Sequence, residues 1–282
     1  MENSKPTRFV REVMAIINVT PDSFSTGSGV VPALEELTEQ CASALREGAA
    51  YLDIGGYSTR PGAEEVTIDE EWQRVERGLQ AACRAMEQTN LTAHLSVDTF
   101  RSEVAQRAIE GYDVAMINDV SGGRLDEAMW PLVARTGVKY VAMHMRGTPK
   151  TMQMMTRYDD VVGEVERYFR LLLQEMTAAG ISKEQITLDP GFGFAKDVAQ
   201  NYLLVAGVER LNALGCRLLV GISRKSMLRS VVGARADDLL VANTALHWEL
   251  LSRGASILRV HDVRAAVQTI ALYNHYEQTI RR

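Results

Sequence analysis

Eight short apolar runs that each close on polar residues constrain this chain more than any other feature. They read VMAIINVT (13–20), AAYLDIGG (49–56), AHLSVDT (93–99), VAMINDVSG (114–122), VKYVAMHMR (138–146), ITLDPG (186–191), LLVGIS (218–223) and SILRVHD (256–262). None alternates cleanly between polar and apolar, which is the pattern of parallel strands covered on both faces. Helical periodicity fills the intervals. Residues 33–47 bring Leu34, Leu37, Cys41, Ala44 and Leu45 to one face ahead of Gly48, a C-terminal stop. Thr67 and Glu70 have the spacing of a capping box heading a helix over 68–88. Residues 159–179, 237–252 and 263–280 are long and amphipathic. Ser182 and Gln185 repeat the capping-box spacing too close to a strand to head a long helix, and are read as a chance match. Strand then helix, eight times over, predicts an α/β fold with a parallel sheet, and about 250 residues is the ordinary size of a (β/α)8 TIM barrel. The expectation is a single barrel domain over 11–282 behind a loose tail at 1–10. An open doubly wound sheet is the alternative, because periodicity does not separate a closed sheet from one with edges.

Composition narrows what such a barrel can do. With 282 residues, 46% of them hydrophobic, the chain can fill a large core. A formal charge of −5 argues against a nucleic-acid binder, which needs a basic surface. It leaves room for a locally positive site that takes small anions. Cys41, Cys83 and Cys216 are odd in number, far apart and in no C-x-x-C pair. They predict buried thiols in a reducing compartment rather than a disulfide or zinc framework. The opening MENSKPTRFV lacks the apolar core of a signal peptide, and no run approaches the roughly 20 residues of a membrane span. The expectation is a cytoplasmic protein that acts away from membranes.

In barrels of this kind the working residues sit at the C-terminal ends of the strands and in the loops that follow. Those positions here hold Asn18, Thr20, Asp22, Asp53, Ser58, Thr59, Arg60, Asp98, Asn118, Asp119, His144, Arg146, Asp189, Ser223 to Ser226, Arg259, His261 and Asp262, while the strand starts are blander. Asp98 and Asp189 end strands that read as fully buried, and a buried carboxylate needs partners. A flat heterocycle with an amidine-like edge offers two parallel N–H donors that a carboxylate accepts as a fork. Asn118 both donates and accepts, so it can read a mixed ring edge. Lys225 adds a point charge, and Ser226 falls near the first turn of the next helix, where free amides attract anions. Arg259 and His261 leave the last strand on one face, a pairing suited to phosphate or diphosphate.

With those residues in view, the chain resembles the dihydropteroate synthases, enzymes of folate synthesis that sulfonamides target. The resemblance lies in NVTPDSFS (18–25), DIGG (53–56), STRPGA (58–63), SVDT (96–99), INDVSGG (117–123), MHMRGTPKTMQ (143–153), LDPGFGF (188–194), GISRKS (221–226) and RVHDV (259–263). The motifs occur in the family's order from about residue 11 to residue 275. The resemblance implies a (β/α)8 barrel that joins 6-hydroxymethyl-7,8-dihydropterin pyrophosphate to p-aminobenzoate with the help of Mg2+, and a homodimer through the last helices. It places Asp98, Asn118, Asp189 and Lys225 around the pterin ring, with Met143 packed against it. Asn18, Arg259 and His261 would take the pyrophosphate, Asn18 also touching Mg2+. Thr59, Arg60, Pro61, Phe194 and Ser226 would form the p-aminobenzoate pocket, bordered by Lys225. Lys225, Arg259, Asp98 and Asp189 would carry the chemistry, with Asp22 a weaker loop candidate.

Two loops depart from the family's commonest pattern. Thr26-Gly27-Ser28-Gly29 follows NVTPDSFS where Asp-Gly-Gly is expected, and Tyr57 stands where Glu is expected. Three other readings meet part of the pattern. A pterin-dependent methyltransferase of the corrinoid-linked type shares the barrel and the ring-binding acids but has no use for STRPG or SRKS. A Schiff-base aldolase would use Lys225 with its pKa lowered by burial or a nearby cation. A non-catalytic scaffold would show broken ring-binding positions, and none is broken.

Overall fold

A computed structural model describes residues 9–20, 32–58, 65–148, 151–233 and 239–280. Eight strands, β1 (Glu12–Asn18), β2 (Tyr51–Gly55), β3 (His94–Asp98), β4 (Val114–Asp119), β5 (Lys139–Met143), β6 (Ile186–Asp189), β7 (Arg217–Val220) and β8 (Ile257–Val260), pair in parallel in chain order. β8 pairs with β1, Met14 opposite Arg259, so the sheet closes and the open doubly wound alternative falls away. The helices α1 (Leu34–Arg46), α2 (Ile68–Thr89), α3 (Ser102–Gly111), α4 (Met129–Thr136), α5 (Val161–Ala178), α6 (Val198–Asn212), α8 (Leu240–Ser252) and α9 (Val263–Ile280) follow the strands. A short α7 (Ser226–Val232) is inserted after β7.

Side-chain alternation along the strands builds two cores. Val13, Ala15 and Ile17 of β1 face outward into the large cluster shared with the helices, which includes Leu37 and Cys41 of α1. Met14, Tyr51, Met116, Val141, Leu219 and Ile257 face inward and form a separate apolar floor inside the barrel. Each fully buried side chain of that floor contributes about 1.5–3 kcal/mol. Two residues further along each strand the side chain again points inward. Those positions are Ile16, Asp53, Asn118, Met143, Gly221 and Arg259, so the polar site is laid directly on the apolar floor. Register keeps the strand ends level: Asp98 stands beside Gly55 and Asn118, and Asp189 beside Met143.

The Thr67–Glu70 box forms as predicted. The Thr67 amide donates to Glu70 Oε2 at 2.8 Å and the Glu70 amide to Thr67 Oγ1 at 3.2 Å. Close contact of α2 with β2 requires Gly78, where an added Cβ would come within 2.5 Å of Ile54 Cγ2. One expectation is corrected. Ser182 and Gln185 are no chance match: the Ser182 amide donates to Gln185 Oε1 at 3.0 Å and heads a single 3-10 turn, Lys183–Gln185. A cap satisfies orphan amides however short the helix behind it, and Gln185 Nε2 also donates to the carbonyls of Val133 and Val138 at the end of α4.

Candidate active site

The strand ends open into a cavity of about 740 Å3 lined by Asn18, Asp98, Asn118, Met143, Asp189, Phe194, Lys225, Ser226, Arg259 and His261. That volume suits a small-molecule site. Ten residues singled out in the sequence therefore share one cavity. Thr59, Arg60, Pro61 and Asp22 lie outside the described residues.

Asp53 organises the acidic wall. It is fully buried on β2 and accepts from Ser96 Oγ at 2.6 Å, from Asn118 Nδ2 at 3.0 Å and from Arg259 Nε at 2.6 Å. Arg259 Nη2 donates to Asp98 Oδ2, also at 2.6 Å. Arg259 is thus shared between Asp53 and Asp98, while Asp262 pairs with Arg224 at 2.8 Å. Burial alone would lower the Arg259 pKa, yet the two carboxylates raise it, so the guanidinium stays charged. Burial lifts Asp98 to about 7, with Arg259 opposing and Asp53 reinforcing the rise. Asp189 is likewise raised by burial against the pull of Lys225, and its Oδ1 accepts from the Gly191 amide at 2.8 Å.

The cationic side comes from the turn after β7. Lys225 donates from Nζ to the Phe192 carbonyl, and its ammonium lies 4.8 Å from the centroid of the Phe194 ring. Burial lowers its pKa to about 8, with Asp189 opposing. Ser226 opens α7 at the cavity mouth, as predicted for a first-turn residue. The Ser223 hydroxyl receives the His261 amide at 3.2 Å and stands 3.1 Å from His261 Nδ1. A hydroxyl can donate to that nitrogen or accept from it, so Ser223 orients the ring in either tautomer. Arg224 takes a left-handed turn at φ 59, and its side chain, while still bordering the cavity, bridges to Asp262.

Sequence reasoning placed Asp53 on the rim but gave it no role. The signal was available: it lies two residues past the inward Tyr51, with Ser96 opposite in register. The Phe192 carbonyl is a main-chain feature that no side-chain pattern announces. Conversely, His144 is buried at 3% exposure, its ring edge-on to Tyr168 with centroids 4.8 Å apart, because Met143 takes the inward direction. Tyr57, at the departure from the family pattern, lines the cavity and packs edge-on against Phe100, centroids 5.2 Å apart.

Replacing Asp53 with alanine strands the Arg259 guanidinium on a single carboxylate and leaves Asn118 and Ser96 without their acceptor. Removing one partner of a buried pair costs about 3 kcal/mol or more. The expected result in urea unfolding is a loss of that size for Asp53→Ala and a smaller one for Asp53→Asn, which keeps the shape. Equal, small losses would show that the carboxylate does not hold the site together.

The arrangement offers carboxylates, an amide and cations side by side in one cavity. A ring with paired N–H donors and a polyanionic substituent meets complementary groups there. The family described as "Pterin binding enzyme" matches residues 14–261. The chain is 40% identical over 262 residues to the dihydropteroate synthase of Escherichia coli K12, covering 92% of this chain and 89% of that one. Among solved structures, Yersinia pestis dihydropteroate synthase in a sulfonamide complex superposes with a TM-score of 0.88 at 36% identity, covering 95% of each chain. The Xanthomonas albilineans enzyme in complex with 7,8-dihydropteroate gives 0.81 at 37% identity, covering 96% of this chain and 95% of that one.

Proposed function

This chain belongs to the pterin-binding enzymes, among the dihydropteroate synthases, and from that membership we propose how its own residues carry out the condensation of 6-hydroxymethyl-7,8-dihydropterin pyrophosphate with p-aminobenzoate. The observation that carries the reading is the sharing of one cavity by Asp98, Asn118, Asp189, Lys225, Arg259 and His261.

Asp98, Asn118 and Asp189 take the edge of the pterin ring, and Met143 packs against its face. Arg259 and His261 hold the pyrophosphate. The C–O bond between the pterin methylene and the pyrophosphate breaks, and the electron pair leaves on oxygen. Positive charge remains on the methylene and spreads into the ring, where Asp98 and Asp189 stabilise it electrostatically. The arylamine nitrogen then forms the new C–N bond and loses a proton. That step asks for positioning more than for a strong base. Phe194, Lys225 and Ser226, with Thr59, Arg60 and Pro61, receive p-aminobenzoate, its carboxylate toward Ser226 and the Lys225 charge.

The residues present also fit Mg2+. Among the described residues no group of three His, Cys, Asp or Glu could cage a metal, and Mg2+ commonly binds through one or two protein oxygens together with substrate phosphates. Asn18 ends β1 on the same cavity wall as Arg259 and His261 and would hold the ion there. Bound Mg2+ would supply charge neutralisation at the departing pyrophosphate. Leu272 and Ile280 of α9 are each 61% exposed, which supports a homodimer through the last helices, measurable by sedimentation. No helix among the described residues is long and apolar enough to cross a membrane. The free Cys41, Cys83 and Cys216 suit the reducing cytoplasm.

The assay is pyrophosphate release from the pterin substrate in the presence of Mg2+. Release that depends on p-aminobenzoate is the expected result; release indifferent to the arylamine, or none, overturns the reading.

A pH effect follows from Asp98. Its pKa of about 7 in the free site means that a carboxyl proton is present below that pH. A ring that donates two N–H bonds needs the carboxylate. Pterin binding below that pH should therefore release a proton, and affinity should rise with pH to a plateau above about 7. The sign is opposite for stability of the ligand-free chain, because a raised carboxyl pKa stabilises the fold at low pH and that contribution is lost as pH rises through about 7. Calorimetry of pterin binding in buffers of different ionisation enthalpy reads the proton. No release, with affinity flat across this range, would contradict the role given to Asp98.

A further inference from the structure

We propose that Lys196, seated on His144, is a positioning residue for the arylamine half of the site, acting through the loop 190–195 without touching substrate. The proposal rests on the assignment of p-aminobenzoate to the Phe194 side of the cavity.

Lys196 is 4% exposed, and its Nζ lies 2.9 Å from the Gly191 carbonyl, 3.0 Å from the Phe194 carbonyl and 3.0 Å from His144 Nδ1. An ammonium has three donors, and three acceptors surround this one. A buried cation is costly, and packing alone would be served by a methionine or leucine. The loop it holds is an unusual one. Gly191, Gly193 and Ala195 alternate in the left-handed region at φ 69, 79 and 50, and Ala195 keeps that conformation only under constraint. A Cβ on Gly191 would come within 2.1 Å of the His144 carbonyl, so the loop rests directly on the end of β5. Its other face belongs to the cavity, where the Phe192 carbonyl receives Lys225 and the Phe194 ring faces the same ammonium. Lys196 from within and Lys225 from the cavity grip the same segment.

His144 can accept at Nδ1 only when neutral. Burial holds its pKa well below the usual value, with Lys196 and Arg146 adding to the effect. The charged and titratable groups facing Lys196 are Asp189 from β6, Lys225 from the turn after β7, and His144 and Arg146 after β5. Burial brings Lys196 down to about 7, with Asp189 opposing and Lys225 and Arg146 reinforcing. Above that pH the amine loses its third donor and its hold on the loop weakens.

The test measures kinetics and hydrogen exchange on Lys196→Met and His144→Leu. The expected result is a rise of about tenfold in KM for p-aminobenzoate with less than about a twofold change in KM for the pterin pyrophosphate. Exchange protection of the 190–196 segment falls while that of the barrel strands is kept. His144→Asn, whose amide oxygen restores the acceptor, recovers both. In the unaltered chain the protection factor of this segment falls as pH rises past about 7, and in Lys196→Met it does not. Unchanged exchange at 190–196, or equal rises in both KM values, overturns the proposal. If Lys196→Met does not fold, His144→Leu carries both readouts. A chain that never consumed p-aminobenzoate would remove the substrate assignment, while the exchange arm would still decide whether Lys196 holds the loop.

Discussion

Replacing Arg259 with methionine should lower kcat/KM for the pterin pyrophosphate about a thousandfold, the size expected when a preorganised group that meets developing charge is removed. The loss has two sources. Two of the guanidinium's donors already go to Asp53 and Asp98, each at 2.6 Å, and the remaining N–H groups are free to serve the pyrophosphate. Arg259 is also the group that opposes the burial-driven rise of Asp98. Without it the Asp98 pKa climbs further above 7 and the ring-binding carboxylate becomes a neutral acid at working pH. The pyrophosphate end and the pterin end fail together. Buried Asp53 and half-buried Asp98 are left without the cation they share, so the fold is weakened as well. That gives an internal control: Asp53→Asn added to Arg259→Met removes one orphaned charge and should recover stability without recovering turnover. Losses that simply add in the double variant, or a fall in kcat/KM of only a few fold, would show that Arg259 is not shared between the two tasks.

The shape of this result also explains what the sequence could and could not convey. The parallel sheet was legible because near-continuous apolar runs such as VMAIIN recur between helical stretches eight times over, while its closure was not. The rim was legible because polar residues such as Asp98 and Asp189 end those runs where a packed core has no use for them. What a one-dimensional pattern lacks is direction. His144 and Arg224 sit at strand ends like their neighbours, yet alternation turns the first outward against Tyr168 and a left-handed turn sends the second to Asp262. The same alternation, counted from the inward Val141 to Met143, would have excluded His144 in advance. Asp53 shows the complementary failure. Its position was visible, but its partners Asn118 and Arg259 lie 65 and 206 residues away along the chain, and only closure of the sheet brings them together.

Lys225→Met should also cost about a thousandfold in kcat/KM, but with the fold intact, and this difference separates it from Arg259. The lysine side chain caps no helix amide. The turn is held by backbone bonds, Lys225 N–H to the Ile222 carbonyl and Leu228 N–H to the Lys225 carbonyl, both at 3.1 Å. Methionine preserves those and fills much of the same volume. What disappears is a charge that faces Asp189, holds the Phe192 carbonyl and lies over the Phe194 ring, so it borders the pterin and arylamine halves at once. KM for both substrates should rise and kcat should fall, whereas the Lys196 and His144 variants shift the arylamine alone. Arginine should not rescue, since a planar fork does not replace a compact ammonium between a carbonyl and a ring face. The pH profile supplies a second signature. With its pKa brought to about 8 by burial, Lys225 loses its proton within the working range, so kcat/KM for the pterin pyrophosphate, which the Lys196 loop does not govern, should decline as pH rises past that value. That alkaline limb should vanish from the residual activity of Lys225→Met. A limb that persists unchanged belongs to another group, and a variant with full activity takes Lys225 out of the site. Borohydride trapping of a carbonyl substrate on Lys225 would instead favour Schiff-base chemistry, which the pyrophosphate-releasing reaction has no step to use.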